Sequence, residues 1–135
     1  MAYAFELITR PNTAIVSPVS QPIEIRSSII TKVIIIQPTG CVGLVGTRFT
    51  YQSHRLWPIN EQSWFKANGT PIIFEPNSEL TEPPFELTME CYNIDDTYQH
   101  IVYAYVEVEF IALRKRSALK QIGDIIGGFG IPQRG

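Results

Sequence analysis

The chain has 135 residues, 44% hydrophobic and 18% charged, with a formal net charge of −2. That length suits one domain whose core is large enough to fold without a metal or disulfide staple. The composition excludes a disordered, solvating chain, and the charge balance excludes a chain-wide electrostatic hold on nucleic acid.

Ten prolines and nine glycines divide the chain into short runs rich in Val, Ile, Thr, Tyr and Phe, which is the pattern of strands. Met1 to Glu6 offer no basic n-region and no long apolar run, so no secretory signal is read there. Tyr3 to Thr9 is the first predicted strand, and Ala14 to Ser17 a brief second. Pro22 to Arg26 alternates, with Ile23 and Ile25 facing one way and Glu24 and Arg26 the other. Thr31 to Gln37 is a continuous apolar run, which predicts a strand buried on both faces or central in a sheet. Its Val33-Ile34-Ile35-Ile36 core is far shorter than the roughly 18 residues of a membrane span.

Pro38-Thr39-Gly40 reads as a turn. Cys41 to Tyr51 reads as one long strand, bent or bulged at Gly43 and Gly46. Arg55 to Pro58 is short, and Glu61 to Lys66 is a helical turn or a loop carrying Trp64 and Phe65. Asn68-Gly69 marks a turn before a strand over Pro71 to Glu75, which Pro76-Asn77-Ser78 closes. Phe85 to Cys91 alternates without error, and His100 to Leu113 alternates again. Phe85, Leu87, Met89 and Cys91 share one face; Val102, Ala104, Val106, Val108 and Phe110 share another. Joined by the polar loop Asn93 to Asp96, these two runs predict an antiparallel hairpin.

After Leu113 the character changes. Arg114-Lys115-Arg116 precedes Ser117, a residue suited to cap a helix in which Leu119, Ile122, Ile125 and Ile126 recur at helical spacing. Gly127-Gly128 and Pro132 would stop it. The expected architecture is therefore all-β: an antiparallel β-sandwich or jelly roll over residues 1–113, with a short basic C-terminal helix and tail over 114–135. An oligonucleotide-binding barrel is second, but its mix of aromatics and bases is not evident.

Chemistry is sparse. The two cysteines are too few for a disulfide scaffold, and Cys91 falls on the inward face, as a core thiol would. His54 and His100 lack zinc-ligand spacing, so His100 reads as a hydrogen-bonded structural residue. Asp95 and Asp96 read as turn caps rather than calcium ligands. No Gly-x-Ser-x-Gly elbow and no phosphate loop is present. The chain is read as no enzyme, with no cofactor, no metal site and no small-molecule substrate.

Charge and aromatics are unevenly placed. Glu61 through Glu109 holds ten acids against Lys66, whereas Arg114 to Gly135 holds five bases against Asp124. An acidic body and a basic tail attract, within one subunit or between neighbours, which suits self-assembly. The bland alternative is a solvated face with snorkelling Lys and Arg. Four bases within seven residues make a small footprint for nucleic acid or a lipid surface. Tyr103 and Tyr105 fall on the outward face of the last strand, where they would either serve an interface or cover a second sheet. Expected partner contacts are therefore Arg114, Lys115, Arg116, Leu119, Ile122, Ile125, Ile126, Tyr103 and Tyr105. Trp57, Trp64 and Tyr98 are candidates for stacking on a sugar or filling a receptor pocket, with Tyr103 beside them.

The stretch from Thr47 to Glu109, entered through Gly43-Leu44-Val45-Gly46-Thr47-Arg48-Phe49, continues with Leu56-Trp57-Pro58-Ile59-Asn60, Trp64-Phe65-Lys66-Ala67-Asn68-Gly69 and Ile72-Ile73-Phe74. Pro83-Pro84-Phe85-Glu86-Leu87 and Tyr92-Asn93-Ile94-Asp95-Asp96-Thr97-Tyr98-Gln99-His100 follow. In this order the motifs resemble small β-sandwich structural proteins of tailed-phage particles. The resemblance covers about half the chain and consists of turns and strand starts, so no functional residue is carried over. It implies a virion component made in a host cytoplasm: a capsid decoration or cement protein, or a spike protein. Such proteins form closed oligomers and contact the major capsid or other virion proteins. The alternative is a carbohydrate- or receptor-binding module.

Overall fold

In the computed structural model, residues 1–52, 54–60 and 62–111 are described. They form nine strands: β1 (Ala2–Thr9), β2 (Val19–Glu24), β3 (Ser28–Ile36), β4 (Val45–Tyr51), β5 (His54–Trp57), β6 (Ile72–Phe74), β7 (Ser78–Leu80), β8 (Glu86–Asn93) and β9 (His100–Phe110). A five-stranded sheet runs β1-β9-β3-β6, with β7 also on β3; a four-stranded sheet runs β2-β8-β4-β5. Every pairing is antiparallel. The result is the expected all-β architecture, a sandwich of two antiparallel sheets. The basic segment from Arg114 onward, with its expected helix, lies outside the described residues.

The core lies between the sheets and follows from the two-residue period of a strand. Phe5 and Leu7 of β1, Val33 and Ile35 of β3, and Val102, Ala104, Val106 and Val108 of β9 point in from one sheet. Val45 and Phe49 of β4 and Leu87, Met89 and Cys91 of β8 meet them from the other. Aromatic rings carry the core toward β6: Phe5, Phe49, Trp57 and Phe74 meet edge to face with centroids 5.4–5.8 Å apart, and Phe65 stacks on Phe74 at 5.2 Å. A bulge between Ile30 and Lys32 resets the alternation, so Ile30 and Val33 both face inward.

Three expectations need correction. The runs 85–91 and 100–113 do not form a hairpin: β8 pairs with β2 and β4, and β9 with β1 and β3. Perfect alternation is satisfied equally by strands side by side or face to face across a core, and here they face each other. Ala14 to Ser17 is not a strand but a turn, closed by the Ser17 amide on the Ala14 carbonyl at 3.1 Å. The strand expected from Cys41 begins only at Val45; residues 41–44 turn through a Leu44 amide bond to the Cys41 carbonyl at 2.8 Å. The segment after β5 is a loop in which Phe65 bridges Thr47.

Candidate functional site

The two sheets turn very different outer faces to solvent. On the four-stranded sheet the outward positions of β4 and β8 are polar apart from Tyr92 and its partner Gly46: Thr88 and Glu90 on β8 lie in register with Thr50 and Arg48 on β4. The Arg48 Nε and Nη2 donate to one Glu90 oxygen at 2.9 and 2.7 Å. The Arg48 guanidinium also stacks 4.3 Å over the Trp64 ring, whose edge meets Tyr92 at 4.8 Å. Tyr92 is buried because its strand partner Gly46 lacks a side chain; a Cβ there would lie 2.1 Å from the Tyr92 ring.

The outer face of the five-stranded sheet is apolar. Backbone register puts Ala4, Tyr105, Ile34 and Ile73 in one row across β1, β9, β3 and β6. Glu6, Tyr103 and Ile36 form the next row, and Ile8 and Ile101 the one beyond. Ile73 is 58% exposed, Ile8 51% and Tyr105 41%; Tyr103, Ile34, Ile36 and Ile101 are half-buried. With strands about 4.8 Å apart and rows about 7 Å apart, the patch covers roughly 300 Å². That is the lower end of the roughly 300–600 Å² that the largest apolar patch of a monomer covers, a patch that is often functional. Toward the Phe110 end the face becomes acidic, through a row of Ala2, Glu107 and Lys32 and then Glu109 and Glu79 on either side of Ile29, which is itself buried. Tyr103 and Tyr105, expected at an interface, thus sit at the centre of this face and cover no second sheet.

The sheet edges offer little. Along β1 the Glu6 amide donates to the Gln21 side-chain oxygen at 2.9 Å, which closes that edge at its middle. Pro22 sits within edge strand β2, and β5 and β6 have four and three residues. Short strands and proline are the usual defences against strand addition.

The three ligand-contact candidates do not converge. Trp57 is 7% exposed and packs between Phe49 and Phe74, so it is a core residue and not a surface contact. Burial of an apolar ring outweighs its stacking potential once an inward position on a strand is available. Trp64 lies on the polar outer face, beside an open cleft of about 350 Å³ lined also by Ile15, Arg48, Arg55 and Gln62. Tyr98, 66% exposed, lies in the loop between β8 and β9. Arg114, Lys115, Arg116, Leu119, Ile122, Ile125 and Ile126 lie outside the described residues.

That loop is held by a polar network. The Asn93 amide nitrogen donates to the Thr9 and Tyr98 carbonyls at 3.2 and 3.0 Å, and its oxygen accepts the Asp95 amide at 2.9 Å. Asp95 accepts the amides of Thr97 and Tyr98 and pairs with His100 Nε2 at 2.9 Å. The His100 bond, then the Thr97 amide, hold the Asp95 carboxyl below its usual range. Asp95 is therefore the turn cap and His100 the structural histidine that the sequence suggests. Burial pushes the Cys91 thiol up to about 12 and raises that of Cys41, so both are poor nucleophiles. Gln37 went unread in the sequence: buried at the end of an apolar run, its Nε2 donates to Thr47 Oγ1 at 2.9 Å and the Phe65 carbonyl at 3.0 Å, and its oxygen accepts the Ala67 amide. Its polarity inside that run was the available signal. Among the described residues, no group of three or more His, Cys, Asp or Glu is placed to hold a metal, and no helix is long and apolar enough to cross a membrane.

Comparison with protein-family models, curated proteins and solved structures finds no match to this chain.

Proposed function

We propose that this protein is a structural subunit that joins its neighbours through the outer face of the five-stranded sheet. The observation that carries the reading is the apolar row Ala4–Tyr105–Ile34–Ile73 on a face with no covering layer among the described residues. The blocked edges support it, because they leave a face rather than an edge for contact.

The finer reading is a virion decoration or cement protein, with other copies and the major capsid protein as partners. Its support is the resemblance of the turn and strand-start motifs, together with strand order. The pairs β1·β9, β2·β8, β3·β6 and β4·β5 are those of one long hairpin rolled into two sheets, the jelly-roll order. Jelly rolls serve both viral capsids and lectins, so the order alone does not select a function.

Light scattering on the full chain at low and high salt tests the reading. An oligomer that dissociates in salt is expected. A monomer at both salts, up to high protein concentration, would overturn it.

A second reading, a carbohydrate- or receptor-binding module, is favoured by the cleft at Trp64, where an indole lies beside Arg48 and Arg55. Binding on a glycan array that is lost in Trp64→Ala would support it.

A further inference from the structure

We propose that residues Arg114 to Ile126 of a neighbouring copy occupy the outer face of the five-stranded sheet. This rests on the reading of the protein as an assembly subunit and names the other half of its contact.

Area decides first between a second body and a segment. A stable face-to-face pair needs about 800 Å² from each partner. The apolar patch is roughly 300 Å², which suits one amphipathic segment. The ten residues from Ser117 to Ile126 would span about 15 Å as a helix, close to the roughly 14 Å across four strands. In sequence, Leu119, Ile122, Ile125 and Ile126 supply an apolar stripe of that length.

Charge decides next. The rim of the face carries Glu6, Glu79 and Glu107 against Lys32. The segment carries Arg114, Lys115, Arg116 and Lys120 against Asp124. A basic entry and an apolar stripe therefore meet an acidic rim and an apolar row, in the same order. Because the face and the segment are different surfaces, the contact is heterologous: repeated from copy to copy it gives a ring or reciprocal pair where the rotation closes and a filament where it does not.

The test uses two full-length variants, Ile73→Cys and Ile122→Cys, mixed and oxidised, with light scattering on the same samples. Ile73 is exposed, so its replacement leaves the core intact. The native thiols are buried and do not compete. A disulfide joining the two different chains is expected, and the triple reversal Arg114→Glu, Lys115→Glu, Arg116→Glu should cut its yield about tenfold or more. Oligomers that persist without this disulfide would overturn the inference and leave the assembly reading standing. Monomers in every sample, the unsubstituted protein included, would overturn both. A double variant that forms its disulfide within one chain, as a monomer, would also overturn it.

Discussion

If neighbours join through the outer face of the five-stranded sheet, as proposed, replacing Ile73 and Tyr105 with threonine should dissociate them without unfolding the domain. Ile73 is 58% exposed and Tyr105 41% exposed. Fully burying an isoleucine is worth about 1.5–3 kcal/mol, so the exposed part of Ile73 offers about 1–1.5 kcal/mol on contact. A tyrosine has about 150–250 Å² to bury, so its exposed part offers about 1.5–2.5 kcal/mol at ~25 cal/mol per Å². Threonine is β-branched and suits a strand at either site. The pair should therefore weaken association by about 3 kcal/mol, or roughly a hundredfold in the concentration of half-dissociation. Sedimentation equilibrium across a dilution series reads that midpoint, and far-ultraviolet circular dichroism checks the fold. A midpoint that moves less than threefold in a folded double variant would refute the placement of the contact on this face.

Other outcomes probe the scaffold. Gly46→Ala drives a Cβ into the Tyr92 ring and should cost about 1–3 kcal/mol, seen as a melting temperature lower by about 5–10 °C. Gln37→Leu leaves the Ala67 amide without its acceptor and takes one of two partners from the Thr47 hydroxyl and from the Phe65 carbonyl; a loss of about 1–3 kcal/mol in urea unfolding is expected. The Asp95 carboxyl is held below its unfolded value, so its stabilisation is present above the ordinary carboxylate range and fades as pH falls through the lowered value. Asp95→Asn should flatten that acid limb of the stability curve. Neither cysteine should react with a thiol reagent at pH 8 until the protein is unfolded, since burial raises both thiols.

Much of the body was legible because a strand with one buried face writes its orientation into every second residue. Leu87, Met89 and Cys91, and Val102, Ala104 and Val106, were assigned to the core on that ground and lie there. What alternation does not encode is which strand lies beside which, and the hairpin expected from β8 and β9 failed for that reason. The run Thr31 to Gln37 reads in sequence as a strand buried on both faces or central in a sheet. It is interior to its sheet, yet Ile34 and Ile36 face outward and are only half-buried. A continuous apolar run arises as readily from an apolar outer face as from a second covering layer. Trp57 and Trp64 lie seven residues apart on either side of a loop, and nothing local separates the core ring from the surface one. Only the pairing of Trp57 with Phe49 does so. Tyr103 and Tyr105 were placed outward by parity alone, and parity sufficed.

The apolar outer face calls for a cause, since strand propensity by itself favours tyrosine and isoleucine at any strand position. The other sheet supplies the comparison. Its central strands β4 and β8 are under the same propensity, yet their outward residues include Arg48, Thr50, Thr88 and Glu90. An antiparallel sheet with one solvated face normally alternates in this way, apolar in and polar out. On β9 and β3 the same positions hold Tyr103, Tyr105, Ile34 and Ile36. Propensity is common to both sheets and cannot explain a difference between them; removal of one face from water can. The blunted edges point the same way, because Pro22 and Gln21 oppose strand addition at one side of the sandwich while the row through Tyr105 and Ile73 remains uninterrupted. Contact through a side-chain face lets the partner be selected by shape and charge. Backbone addition at an edge would accept almost any extended chain.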